Sequence, residues 1–95
     1  MNEQIFTPSR ELTFDTVQPD GKRLQKLLRD NKTTTIRMDL GQVVHCDSAG
    51  LALIIEAKRQ CKQHRKALKI EGIPKVIYAL AEFCGVEAML EQELC

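Results

Sequence analysis

The chain contains no tryptophan, one tyrosine and three phenylalanines. So few rings leave little on which nucleic-acid bases could stack, and a formal net charge of +1 exerts no pull on a phosphate backbone. Nucleic acid is therefore not expected as a partner. An excess of one charge is also lacking, since 14 Lys and Arg nearly balance 13 Asp and Glu. No apolar run approaches the ~20 residues that a membrane span needs, so direct membrane insertion is not expected. The amino terminus, Met1-Asn2-Glu3-Gln4, is polar and acidic, unlike a secretory leader, which predicts a cytoplasmic protein. Among Cys46, Cys61, Cys84 and Cys95 there is no C-x-x-C pair, and in a reducing compartment they read as free thiols. Repeats, linkers and low-complexity tracts are missing too. What remains is a chain of 95 residues, enough for one domain (1–95) with a modest core and too short for a site buried between domains.

The pattern that is present alternates strand and helix. Ile5 and Phe6 suggest a short extended segment before Pro8, and Glu11-Leu12-Thr13-Phe14 alternates as a strand does. Pro19-Asp20-Gly21 reads as a breaker, with Asp20 as N-cap of a helix carrying Leu24, Leu27 and Leu28 and ending near Asn31. Residues 33–40 form the clearest strand, with β-branched residues at its start and Ile36, Met38 and Leu40 alternating with Arg37 and Asp39. A helix over residues 49–64 follows, then a short strand over 67–70. Pro74 suits the first turn of a third helix, Gly85 suits its end, and Val86, Met89 and Leu90 suggest a last helical turn. This order predicts an α/β layer with helices covering a small sheet.

The polar element Asp47-Ser48-Ala49-Gly50 joins the clearest strand to the second helix. It delivers a serine hydroxyl to a helix start, where free N–H groups and the positive end of the dipole favour an oxygen ligand or a phosphate. Either Asp47 or Ser48 should cap the helix, and Ser48 is in addition a candidate for phosphorylation. On a helical wheel Leu53, Ile54, Ala57 and Cys61 form one stripe, while Ala52 and Ile55 fall on the far side beside Arg59 and Lys62, with Leu51 at the boundary. Apolar side chains on a face that should be solvated mark a docking surface. In the third helix Val76, Leu80 and Phe83 cluster, flanked by Ala79 and Cys84, and are expected in the core.

Chemistry-bearing residues elsewhere converge on nothing. No G-x-S-x-G elbow or phosphate-cradling glycine loop occurs, and the nearness of His45 and Asp47 to Ser48 in sequence does not make a triad. Nothing beside Cys46 is arranged to form a thiolate. Cys61 and His64 have a metal-ligand spacing, but Cys61 belongs to the core stripe, so neither a metal nor a catalytic residue nor a cofactor is expected. Lys58, Arg59, Lys62, Arg65 and Lys66 form a basic patch, either solvated or attractive to an acidic partner or a membrane surface, and Glu87, Glu91 and Glu93 form a solvated acidic face.

The strand, Leu40-Gly41-Gln42-Val43, Asp47-Ser48-Ala49-Gly50-Leu51, the helix after it and Pro74-x-Val76-x-x-x-Leu80 together resemble the STAS domain of anti-sigma-factor antagonists over about residues 10–90. The resemblance implies a single STAS-like α/β domain, a small mixed β-sheet flanked by about four helices, and a binding module in place of an enzyme. Gly50-Leu51-Ala52-Leu53-Ile54-Ile55 and Lys75-Val76-Ile77-Tyr78-Ala79-Leu80-Ala81 are most similar to the MlaB-like branch, the small cytoplasmic STAS subunit of the Mla phospholipid ABC transporter. That branch implies an MlaF-like ABC ATPase subunit as partner, a membrane permease reached through it, a place at the inner-membrane face, and a role in outer-membrane lipid asymmetry. The family's hydroxy residue after the aspartate lies at the partner interface, a role carried here to Ser48, with Asp47, Ala49 and Gly50 matching the same motif. Leu51, Ile55 and Arg59 join the expected partner-binding set from the wheel. Antagonists that are kinase substrates carry a serine where Ser48 stands and the transporter branch a threonine. The alternative is therefore an anti-sigma-factor antagonist phosphorylated on Ser48 by an anti-sigma kinase. A homodimer is compatible with either.

Overall fold

A computed structural model describes residues 2–90; Glu91, Glu93 and Cys95 of the sequence reading lie outside the described residues. Strand β1 (Asn2–Phe6) and β2 (Glu11–Leu12) precede helix α1 (Val17–Arg29) and strand β3 (Thr33–Asp39). Then come β4 (His45–Cys46), α2 (Ser48–Gln63), β5 (Ala67–Glu71) and α3 (Lys75–Phe83), with a 3₁₀ turn over Glu87–Leu90. The main sheet runs β1-β3-β5 and a small ladder joins β2 to β4. The small sheet of the family resemblance is present, but every strand pairing among the described residues is parallel, not mixed, with Phe6 opposite Met38 and Met38 opposite Ile70. Parallel strands need crossovers, and α1 and α2 supply them. The fourth expected helix is the short 3₁₀ turn, which anchors Leu90 in the core.

The period-2 pattern of the central strand determines the layering. Ile36, Met38, Leu68 and Ile70 turn toward the helices and are buried together with Leu24, Leu28, Ile54, Ala57 and Ile77. The opposite face stays wet and carries ion pairs, Arg37 with Glu71 at 2.8 Å and with Glu3 at 3.7 Å. No helix among the described residues is long and apolar enough to cross a membrane.

Three expectations are corrected by tertiary contacts. Helix α1 begins at Val17, because the backbone N–H of Thr13 donates to Thr16 Oγ1 at 2.9 Å and Thr16 N–H donates to the Thr13 carbonyl at 2.9 Å, a turn that leads into the helix. Pro19 then falls in the first turn, where its missing N–H would have no intrahelical partner. Asp20 is not the cap. It is 1% exposed, accepts hydrogen bonds from Ser9 N and Oγ at 3.0 Å each, and pairs with Arg23 at 2.8 Å, fastening the β1–β2 loop to α1. The helix ends at Arg29 with Asp30 as C-cap, one residue ahead of Asn31.

The second strand keeps only Glu11 and Leu12, since Thr16 Oγ1 and an Asp47 oxygen take the N–H groups of Thr13 and Phe14 away from any ladder. In α3 the buried stripe is Ile77 and Ala81, while Val76 is 39% and Phe83 91% exposed. The apolar residues of this helix form two faces, and the one with the small Ala81 packs inward. Its end follows the expected rule: Gly85 (φ 77) receives the chain, with Val86 N–H donating to the Ala81 carbonyl at 2.8 Å and Gly85 N–H to Glu82 at 3.0 Å.

Candidate partner-binding site at the start of the second helix

The turn between β4 and α2 is built by two residues and displayed by a third. Asp47 is the N-cap. One carboxylate oxygen accepts from Gly50 N–H at 3.0 Å, and the other reaches across the chain to Phe14 N–H at 3.0 Å. The N–H groups of Phe14 and Gly50, in that order, hold the Asp47 carboxyl below the usual carboxylate range. An anion at this end of α2 also complements the helix dipole. Gly50 is needed for a different reason: a Cβ built on it would lie 2.0 Å from the Leu12 carbonyl oxygen and 3.0 Å from Cys46 Sγ. Only a residue without a side chain lets α2 start this close to β2.

Ser48 is therefore left as the outward member of the motif. It is exposed at the first helical position, whereas Asp47 and Ala49 are half-buried and Gly50 is buried. Its hydroxyl has no hydrogen-bond partner among the described residues. From it, Ala52, Ile55 and Arg59 continue one stripe along α2, at the spacing that keeps side chains on a common helix face. Ala52 and Arg59 are exposed and Ile55 is half-buried; Arg59 pairs with Glu56, and this contact holds the Glu56 carboxyl well below its usual range. Leu51, expected at the docking boundary, is 3% exposed and belongs to the core with Ile54, Ala57 and Cys61. The wheel misplaced it because α2 is covered by both α1 and α3, so its buried arc is wider than one stripe.

Phe14 was missed as a surface residue. The alternation of residues 11–14 predicts a strand there, yet Phe14 is 77% exposed, and its backbone is tied to the capping carboxylate of the turn that carries Ser48. A large ring between the polar Thr13 and Asp15 was the available signal. The Cys46 thiol beside the turn is pushed up to about 11, first by burial and then by the Asp47 charge, so it stays protonated at neutral pH. The described residues hold no cluster of three or more His, Cys, Asp or Glu suited to a metal ion. Cys46, Cys61 and Cys84 form no disulfide with one another.

Comparison with known proteins adds three findings. A family model described as "Mlab, STAS domain" matches residues 9–91. No curated protein matches. A solved structure, described as a sulfate transporter family protein from Wolinella succinogenes, superposes with a TM-score of 0.74 over 96% of this chain and 73% of that chain. At 18% sequence identity this likeness shows the fold alone.

Proposed function

We propose that this chain, which belongs to the STAS domain family, is a non-catalytic subunit that docks on and supports the ATPase subunit of a phospholipid ABC transporter. Membership of the family carries a protein-interaction or regulatory role. The finer assignment draws on the description of the matching family model and on the resemblance of the α2 and α3 segments to the MlaB-like branch. The observation that carries it is the arrangement of the Asp47–Gly50 turn: the cap and the glycine are consumed inside the fold, and Ser48 heads an outward stripe with Ala52, Ile55 and Arg59. A turn that displays the Ser48 hydroxyl and is tied through Asp47 to the backbone of the exposed Phe14 is suited to recognising a surface. In this reading the protein sits at the cytoplasmic face of the inner membrane through its partner and serves outer-membrane lipid asymmetry.

The exposed serine favours a second reading, an anti-sigma-factor antagonist switched off by phosphorylation of Ser48. A phosphate there would add about −1.5 to −2 charges next to the Asp47 carboxylate and would repel an acidic or desolvated partner surface. Calorimetric titration against the ABC ATPase subunit of the same organism tests the first reading. Saturable one-to-one binding that is lost with Ala52→Arg is expected, and failure of the wild-type protein to bind would overturn it.

A further inference from the structure

A cavity of about 540 Å³ opens at the far end of α2, between that helix, the start of β5 and the 3₁₀ turn. Its volume falls within the range of about 300–1,000 Å³ typical of small-ligand sites. Ile55, Leu68 and Met89 give it an apolar floor. Its rim is cationic, and among the described residues that line it none carries a negative charge. Three of the rim cations are engaged: Arg59 pairs with Glu56, Lys66 Nζ donates to the carbonyls of Asp30 and Thr33, and Lys58 Nζ donates to the Met89 carbonyl at 3.0 Å. Lys62 and Arg65 make no ion pair among the described residues.

Arg65 carries a second signal. Helix α2 ends with Lys66 N–H donating to the Cys61 carbonyl at 2.8 Å and Arg65 N–H to the Lys62 carbonyl at 3.1 Å, which places Arg65 at φ 59. Glycine is the residue this conformation favours, and α3 uses Gly85 at the same point. A strained non-glycine residue points to a use for its side chain. Here that side chain borders an apolar cavity, and Lys62, three positions before it, makes no ion pair among the described residues.

We infer that this cavity binds a single-chain anionic amphiphile of the fatty-acid class, with the chain on Ile55, Leu68 and Met89 and the carboxylate between Lys62 and Arg65. The inference does not rest on the docking reading, although Ile55 and Arg59 border both surfaces. The test titrates the full chain with monomeric dodecanoate, with dodecanol as the neutral control and acetate as the chainless one. Saturable binding of dodecanoate is expected, at least tenfold tighter than dodecanol and weakened by salt, with no binding of acetate. Arg65→Gly keeps the turn and should raise the melting temperature while weakening dodecanoate several-fold; Lys62→Glu with Arg65→Glu should weaken it more than tenfold. Lys22→Glu, on α1, should leave the affinity unchanged. Equal affinity of dodecanol, or of the Arg65→Gly and double variants, would overturn the assignment. Sedimentation with phosphatidylglycerol vesicles without saturable dodecanoate binding would overturn it in favour of a membrane-facing patch.

Discussion

Replacing Gly50 by alanine sets two effects of opposite sign against each other. By helix propensity alone the change should stabilise α2 by about 1 kcal/mol. The packing opposes this, because the new Cβ would meet the Leu12 carbonyl oxygen at 2.0 Å and the Leu12 carbonyl carbon at 2.8 Å. Both are backbone atoms of the fully buried Leu12 and cannot rotate aside. The same carbonyl accepts the Asp47 N–H at 3.3 Å, so moving it would also loosen the cap residue. Overpacking costs about 1–3 kcal/mol, and a backbone clash belongs at the upper end or beyond. Against the propensity gain, a net loss of at least about 2 kcal/mol remains. For a domain of this size that corresponds to a melting temperature lower by about 8–16 °C. Circular dichroism melts and urea midpoints of the two proteins measure it directly. Gly85→Ala is the comparator, since Gly85 has φ 77 and nothing within 4 Å. It should lose only about 1–2 kcal/mol, from backbone conformation alone. A Gly50→Ala protein at least as stable as the parent would refute the close approach of α2 to β2.

Ser48→Asp should leave the melting temperature nearly unchanged, because an acidic residue suits a helix start, yet weaken partner docking by about 2 kcal/mol or more, roughly 30-fold. Unchanged affinity in a titration would remove Ser48 from the interface. Ile77→Ala should cost about 2–5 kcal/mol in urea denaturation, whereas Phe83→Ala should stay within about 0.5 kcal/mol; the reverse order would restore the stripe read from the helical wheel. The Asp47 carboxyl titrates below its ordinary value of 3.8 in the folded protein, so its contribution to stability is present above that value and is lost as pH falls through the depressed one. Asp47→Asn should lower the urea midpoint at neutral pH and flatten the acid limb of the stability curve, and an unaltered limb would contradict the capping role.

Strand β3 and helix α2 could be read almost to the residue, whereas the short β4 (His45–Cys46) between them was not foreseen. A strand over 33–40 and a helix over 49–64 correspond to Thr33–Asp39 and Ser48–Gln63. Alternation and apolar periodicity are local signals, and here the tertiary fold agrees with them. The family was legible for the same reason, since its motif occupies the junction between those two elements. What could not be read depends on contacts between distant segments. Asp20 looked like a cap from its neighbours, but its partner is Ser9, 11 residues away. The glycine of the motif looked like part of an interface, whereas its requirement comes from the Leu12 carbonyl. Leu51 and the two faces of α3 could not be sorted because a wheel gives the direction of each side chain but not which neighbouring helix covers it. Phe14 escaped notice because the hydrogen bond that ends its strand comes from Asp47, 33 residues later.

In the proposed function, Ser48 and the stripe behind it meet an ATPase. Affinity capture of the tagged protein from its native cells, with mass spectrometry of the partners and of the peptide containing Ser48, tests it most directly. The expected capture is an ABC ATPase with Walker motifs, recovered with unmodified Ser48 and lost with Ser48→Asp. Recovery of a kinase-like anti-sigma factor together with phosphorylated Ser48 would contradict it.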